Sequence, residues 1–245
     1  MTAAAADRPG FLLGGRVRHA QPDSGHRTGI EPVLLAASIP ARPGERVLEG
    51  GTGSGAALLC LAARVPGVAG IGIERDPATA ALAAANIAAN GFAGLAALAA
   101  DLAEARCDEN VDHAFANPPW HDPAGTPSPD SRPEAARRAS PDLFELWARR
   151  LAAPLRHRGT LTFVVAAAAL PACLGAFGAA GCGSPAVLPL WPRAGVAAKL
   201  LLVRGVKDGR APFRLLPGLV LHDADGRFTP AAEAILREAA PLPLD

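Results

Sequence analysis

The stretch FANPPW places Asn117, Pro118, Pro119 and Trp120 directly after a strand-like run. A β-to-loop junction accounts for the prolines, because Pro-Pro cannot continue a sheet ladder and disfavours helix. It leaves the asparagine and the tryptophan unexplained. A side-chain amide oxygen and a neighbouring backbone carbonyl can together accept both hydrogens of a planar amine. Rigid Pro-Pro geometry aims that carbonyl, and an indole supplies a stacking face. The four residues therefore read as a clamp for an NH2 group on a flat substrate. Such an amine is a poor nucleophile while its lone pair is conjugated. Acceptors on its hydrogens favour a tetrahedral nitrogen, so positioning is the main contribution and neither a metal nor a covalent intermediate is required.

A second constellation precedes the first. LEGGTGSGAALLCLA sets Glu49, Gly51, Gly53 and Gly55 at alternate positions between a strand and a helix. Glycines there let the backbone turn sharply and a ligand approach the main chain, and a helix start offers N–H groups to polar ligand atoms. A nucleotide-like cofactor belongs at such a loop. Gly51-x-Gly53-x-x-Ala56 also satisfies the loose dinucleotide fingerprint, and Glu74 at the end of the next strand suits the ribose hydroxyls of NAD or of S-adenosylmethionine equally. The balance tilts to S-adenosylmethionine for two reasons. A carboxylate at Glu49 suits the cationic amino group of a methionine moiety rather than a pyrophosphate, and the amine clamp lies on a later strand of the same unit.

The elements that must position these groups follow an alternating pattern. Strands are expected over residues 46–49, 68–74, 95–100, 111–116 and 159–165, with further strands over 187–190, 199–206 and 219–222. Helices are expected over residues 54–64, from Asp76 as N-cap with Pro77 behind it to Asn90-Gly91, along the stripe Leu143, Trp147 and Leu151, and from Thr229-Pro230 onward. Strands alternating with crossover helices imply an α/β fold, a Rossmann-like seven-stranded and mostly parallel sheet with helices on both faces. In such sheets ligands bind beyond the carboxyl ends of the strands, so Glu49, Glu74 and Asn117 are expected in one crevice. One domain over 1–245 is expected, with 1–30 as an N-terminal extension over the cleft and 31–245 as the core. An insertion at about 121–141, rich in Pro, Ser, Asp and Arg, interrupts it.

Composition narrows the partners. With 24 Lys plus Arg against 23 Asp plus Glu, the net charge of +1 announces no polyanion, so any nucleic-acid contact must come from a local patch. Arg132, Arg137, Arg138, Arg149, Arg150, Arg156 and Arg158 are candidates, diluted by neighbouring acids; Arg27, His26 and His121 are candidate cleft residues. Cys60, Cys107, Cys173 and Cys182 lack the paired spacing of a zinc site and read as buried, reduced thiols. No apolar run approaches the about 18 residues of a membrane span, and the first residues lack a secretory signal pattern. A cytoplasmic protein working as a monomer, without metal or membrane, is the expectation.

At this point the chain resembles a known family. An acid-x-G-x-G-x-G loop with an N-P-P-aromatic motif is similar to those of class I methyltransferases that modify amines on nucleobases or on protein glutamine. More specifically, it resembles the bacterial tRNA methyltransferases acting on adenine N6 beside the anticodon of valine tRNA. That resemblance begins at QPDSGHRTGIEPVLLAA, runs through the loop and NPPW, and includes SRPEAARR, PRAGVAAKLLLVRGVK and LHDADGRFTPAAEAILR. Trp120 stands where Tyr or Phe is usual, Glu31 where Asp is more common, and EGGTG where DLGCG or similar is found. The resemblance implies S-adenosylmethionine as cofactor, tRNA as partner, Glu49 and Glu74 on the cofactor and Asp101 near its adenine. Capping of a short helix that follows is the competing role for Asp101. Glutamine methylation in release factors uses the same clamp, although an extra N-terminal helical domain is usual there and some 30 residues precede the core here. Guanine-N2 methylation, an inactive RNA-binding or cofactor-sensing protein, and an NAD-dependent oxidoreductase are the remaining readings.

Overall fold

The computed structural model describes residues 10–21, 28–107, 110–119 and 141–244. A two-residue hairpin opens it, β1 (Phe11–Leu12) against β2 (Val17–Arg18). Then α1 (Glu31–Ser38), β3 (Arg46–Gly50), α2 (Ala56–Arg64), β4 (Ala69–Glu74), α3 (Pro77–Ala89), β5 (Leu95–Ala99) and β6 (Val111–Ala116) follow. The second half runs α4 (Pro141–Ala152), β7 (Leu155–Ala166), α5 (Leu170–Ala179), β8 (Cys182–Trp191), β9 (Leu200–Lys207), β10 (Arg214–Leu215), β11 (Leu219–Val220) and α6 (Pro230–Glu238). The insertion at 121–140 lies outside the described residues.

The central strands lie in the order β8-β9-β7-β6-β3-β4-β5. β5, β4, β3, β6 and β7 are mutually parallel, whereas β9 runs antiparallel to both its neighbours. The sheet is thus α/β and mostly parallel, with a correction to the expected seven strands. Two-residue strands β10 and β11 extend it to nine, each pairing in parallel with β8. Strand residues alternate between two cores because both faces are covered. Val47, Phe115, Val164 and Leu202 face one core with α1, α2 and α6; Leu48, Ala114, Ala116, Phe163 and Val203 face another with α4 and α5.

Local chemistry explains the element ends. Asp76 caps α3 by accepting from Thr79 N, with Pro77 behind it as expected. α1 ends where two arginines take its last carbonyls: Arg64 donates to Ala36 O and Ile39 O, and buried Arg204 to Ser38 O. Cations at a helix C-terminus also complement its dipole. β7 starts four residues before the expected Gly159, because Arg158 takes a left-handed φ of 65° at an irregularity where Leu155 pairs with Val111 and Thr160 already pairs with His113. Cys60, Cys173 and Cys182 are buried thiols as expected, and Cys107 is half-buried. Among the described residues no helix is long and apolar enough to cross a membrane.

Candidate functional site

Strand register brings the predicted groups to one edge. Gly50 pairs with Ala116 on one side and Ile73 on the other. The next residues along these strands, Gly51, Asn117 and Glu74, therefore emerge level at the carboxyl ends. Adjacent strands lie about 4.8 Å apart, so Glu74 and Asn117 flank the glycine loop at roughly 10 Å from one another at the backbone. Asn117 is exposed, Pro118 buried and Pro119 half-buried. Trp120, Arg27, His121, Arg132, Arg137 and Arg138 lie outside the described residues.

The three spaced glycines have left-handed φ of 64°, 57° and 90° at Gly51, Gly53 and Gly55, but they serve different neighbours. A Cβ at Gly51 would stand 2.6 Å from Trp147 Cη2, so the indole of α4 closes that side of the loop. At Gly55 it would meet Ala83 of α3 at 3.5 Å, in ordinary contact. At Gly53 it would meet nothing within 4 Å among the described residues. Gly53 is the loop's open position, and there a ligand can lie against the main chain.

Carboxylates hold the loop from beneath and beside. Glu49 is buried, 3% exposed, and accepts from Thr52 Oγ1 at 2.5 Å. Burial pushes its carboxyl up to about 8, with the charge of Glu74 adding to the rise and bonds from Thr52 and the Leu58 backbone opposing it. Glu74 accepts from Gly53 N at 3.0 Å through one oxygen and from Asp76 N at 3.0 Å through the other. Thr52 N donates to Ile73 O, and Gly55 N to Thr52 O. Asp101 lies just beyond β5 on the same rim; its carboxylate accepts from Ala103 N at 2.8 Å, closing a turn in place of the short helix expected as the alternative.

Several groups at this loop escaped the sequence reading. His19, 1% exposed, meets Ser54 Oγ at 2.8 Å through Nε2, and Asn86 donates to Ser54 O at 2.9 Å. Both partners are distant in sequence and carry no local signal. Trp147 belonged to an expected core stripe, and it does belong to α4. The fully buried face of that helix, however, is Phe144, Ala148 and Leu151, which leaves Trp147 half-buried against the loop. Two arginines expected near the clamp are elsewhere. Arg156 pairs with Asp112 and Glu45 at the amino ends of the strands, and Arg158 lies beside it on β7. A cavity of about 160 Å³ also lies away from the rim, between Arg46, Ala69, Gly94 and Val111, near those amino ends. Among the described residues no cluster of His, Cys, Asp and Glu could hold a metal ion.

The comparisons agree with this geometry. Residues 23–130 match the family model described as methyltransferase small domain. The chain is 33% identical over 205 residues to a release factor glutamine methyltransferase of Cereibacter sphaeroides, spanning 77% of this chain and 73% of that protein. It is 32% identical over 146 residues to a tRNA1(Val) (adenine(37)-N6)-methyltransferase of Actinobacillus succinogenes, spanning 58% of this chain and 61% of that protein. The fold is similar to that of a predicted O-methyltransferase from Agrobacterium tumefaciens, with a TM-score of 0.73 and 23% identity over 87% of this chain and 98% of that one. It is also similar to the Thermus thermophilus 16S rRNA N2 G1207 methyltransferase solved with AdoMet and guanosine, with a TM-score of 0.58 and 22% identity over 82% of this chain and 50% of that one. It is the likeness to methyltransferases, 33% identity over 73% of the Cereibacter protein together with the family model, that displaces the oxidoreductase reading: the cofactor is S-adenosylmethionine, and the chain belongs to the class I S-adenosylmethionine-dependent methyltransferases.

Proposed function

We propose that this enzyme methylates the exocyclic N6 amine of an adenine in the anticodon loop of a tRNA, with residues 1–245 acting as one methyltransferase domain. The observation that carries the reading is exposed Asn117, followed by Pro118-Pro119, emerging level with Gly51 at the start of the glycine loop at the carboxyl ends of β3 and β6. Similarity to an adenine-N6 methyltransferase of tRNA, at 32% identity, supports the acceptor. So do exposed Arg193 and Lys199, which follow β8 and precede β9 on the same rim.

The residues fit the cofactor. Gly53 leaves the main chain accessible, buried Glu49 lies below the loop as counter-charge to an ammonium group, and Glu74 lies where ribose hydroxyls can reach it. Gly51 and Gly55 shape the turn, and Asp101 borders the adenine end. S-adenosylmethionine supplies an electrophilic methyl group on a sulfonium. The chain's task is to present the amine. The Asn117 amide oxygen and the backbone carbonyl of Pro118 accept its two hydrogens, which draws the nitrogen lone pair out of conjugation. The rigid Pro118-Pro119 pair fixes the carbonyl, and Trp120 stacks on the base. The surplus proton leaves to solvent. Arg27, His121, Arg132, Arg137 and Arg138 border the substrate in this scheme.

A second reading has its own support. Similarity at 33% identity over 205 residues to a release factor glutamine methyltransferase favours a protein amide as acceptor. One experiment separates the two: mass spectrometry of nucleosides from unmodified tRNA, and of peptides from a release factor, after each is incubated with enzyme and S-adenosylmethionine. N6-methyladenosine is expected, with Asn117→Ala lowering its rate about 100-fold or more while cofactor affinity stays within about twofold. Methylated glutamine without methylated adenosine overturns the reading.

A further inference from the structure

We propose that His19 and Asn86 grip Ser54, one by its hydroxyl and the other by its backbone carbonyl, and hold the glycine loop in its ligand-accepting shape, making the segment Gly10–Gln21 part of the cofactor-binding machinery. The inference rests on the reading that this loop holds S-adenosylmethionine. Ser54 stands between two residues with left-handed φ, Gly53 at 57° and Gly55 at 90°. Glycines on both sides leave a peptide many alternative conformations, so a loop that must present fixed amides needs its central residue anchored. Two contacts provide the anchor. His19 Nε2 meets Ser54 Oγ at 2.8 Å, and Asn86 Nδ2 donates to Ser54 O at 2.9 Å.

The anchors belong to elements that are themselves joined. Asn86 takes Ala20 in a two-way bond, accepting from Ala20 N at 2.9 Å and donating to Ala20 O at 3.0 Å. One turn later Asn90 repeats the pattern on Arg18, accepting from its N at 2.8 Å and donating to its O at 2.7 Å. Asn86 of α3 and Asn90 at its C-terminal cap thus act as a ladder for the edge of the segment that faces away from β1, and they place His19 over the loop. His19 is 1% exposed and burial lowers its imidazole to about 4, so it is neutral at physiological pH and forms its bond without a charge to desolvate. Its Nδ1 has no hydrogen-bond partner among the described residues, which leaves the Ser54 contact as the imidazole's one polar interaction there. A buried histidine with a single partner is costly to keep unless that partner matters.

Isothermal titration of S-adenosylmethionine into the full chain tests the grip. His19→Ala and Ser54→Ala are each expected to weaken binding about tenfold, and the double variant by no more than about threefold beyond either alone, because both remove one bond. His19→Gln, whose amide can reach the same hydroxyl, is expected to return binding to within about threefold of wild type, which a purely structural role would not do. Thr229→Ala, distant from the loop, serves as the control for lost stability and leaves binding unchanged. Multiplying losses in the double variant, or wild-type binding in folded His19→Ala, overturn the grip. Gly53→Val separates the two layers. Its binding wild-type S-adenosylmethionine affinity removes the loop reading and the grip with it; lost binding there beside intact binding in His19→Ala removes the grip alone.

Discussion

Among individual residues, Glu49 carries the most unusual electrostatics. Burial pushes its carboxyl up to about 8 in the free protein, whereas in the proposed complex a cationic cofactor group beside it would favour its charged form. Binding below that value must then expel a proton. Affinity for S-adenosylmethionine is expected to rise by up to about tenfold per pH unit between about pH 6 and 8 and to level off above it. Glu49→Gln removes the slope. Calorimetry in two buffers of different ionisation enthalpy reads the released proton, and a flat profile means that Glu49 stays protonated and only holds Thr52. The free protein's stability runs the opposite way. An acid raised from 4.5 to about 8 on folding contributes most below the lower value and loses that contribution as pH climbs to the upper one. Gly51 makes a second residue-scale case: its φ of 64° and the approach of Trp147 both exclude a side chain. Gly51→Ala is expected to cost roughly 1–3 kcal/mol in chemical denaturation, and Trp147→Phe to reduce that cost in a double-mutant cycle. The glycine pattern marked this position in the sequence. The indole that explains it came from a helix nearly a hundred residues away, whose periodicity reports packing but not which neighbour is packed.

Elements were legible where local chemistry and pattern agree. β3, β4, β5 and β6 have bounds within about two residues of their expected ones, and Asp76-Pro77 and Thr229-Pro230 mark the helix starts they were expected to mark. α1 and α5 were not foreseen. α1 starts from Ile30, without a side-chain cap, and ends on arginines from α2 and β9. α5 is apolar nearly all round, so its sequence shows no helical period, and Pro171 reads first as a breaker. The ladder on Asn86 and Asn90 depends on contacts across some seventy residues, which no local pattern reports. The last helix provides the element-scale test. Thr229 Oγ1 accepts from Ala232 N at 3.2 Å and donates to Val220 O at 2.7 Å, so one hydroxyl caps α6 and ties it to β11. Thr229→Ala is expected to lower stability by about 0.5–2 kcal/mol, read by thermal or urea unfolding, whereas Thr229→Ser retains both bonds and nearly all of that stability.

The whole molecule divides its polar groups between the two ends of the sheet. At the amino ends, charges satisfy one another: Arg156 reaches Asp112 and Glu45, and His113 meets Glu45 at 3.0 Å and Thr160 at 2.8 Å. At the carboxyl ends stand the glycine loop, Asn117 and the exposed cations Arg193 and Lys199. The near-neutral total of +1 hides this difference, because it averages a self-paired end with an outward-facing one. An RNA acceptor presented to Asn117 must pass its phosphates along the carboxyl rim, so charge reversal should act by location rather than by number. Arg193→Glu and Lys199→Glu are each expected to raise the KM for tRNA about tenfold, to reduce the slope of its logarithm against that of salt by about one, and to leave cofactor affinity unchanged. Arg158→Glu makes the same change in net charge at the opposite end and is expected to shift KM by less than about twofold. Steady-state methylation across a salt series reads all three. Equal effects at both ends would mean that tRNA feels only the protein's total charge. No effect at either end would remove the carboxyl rim as a phosphate track and favour the protein amide as acceptor.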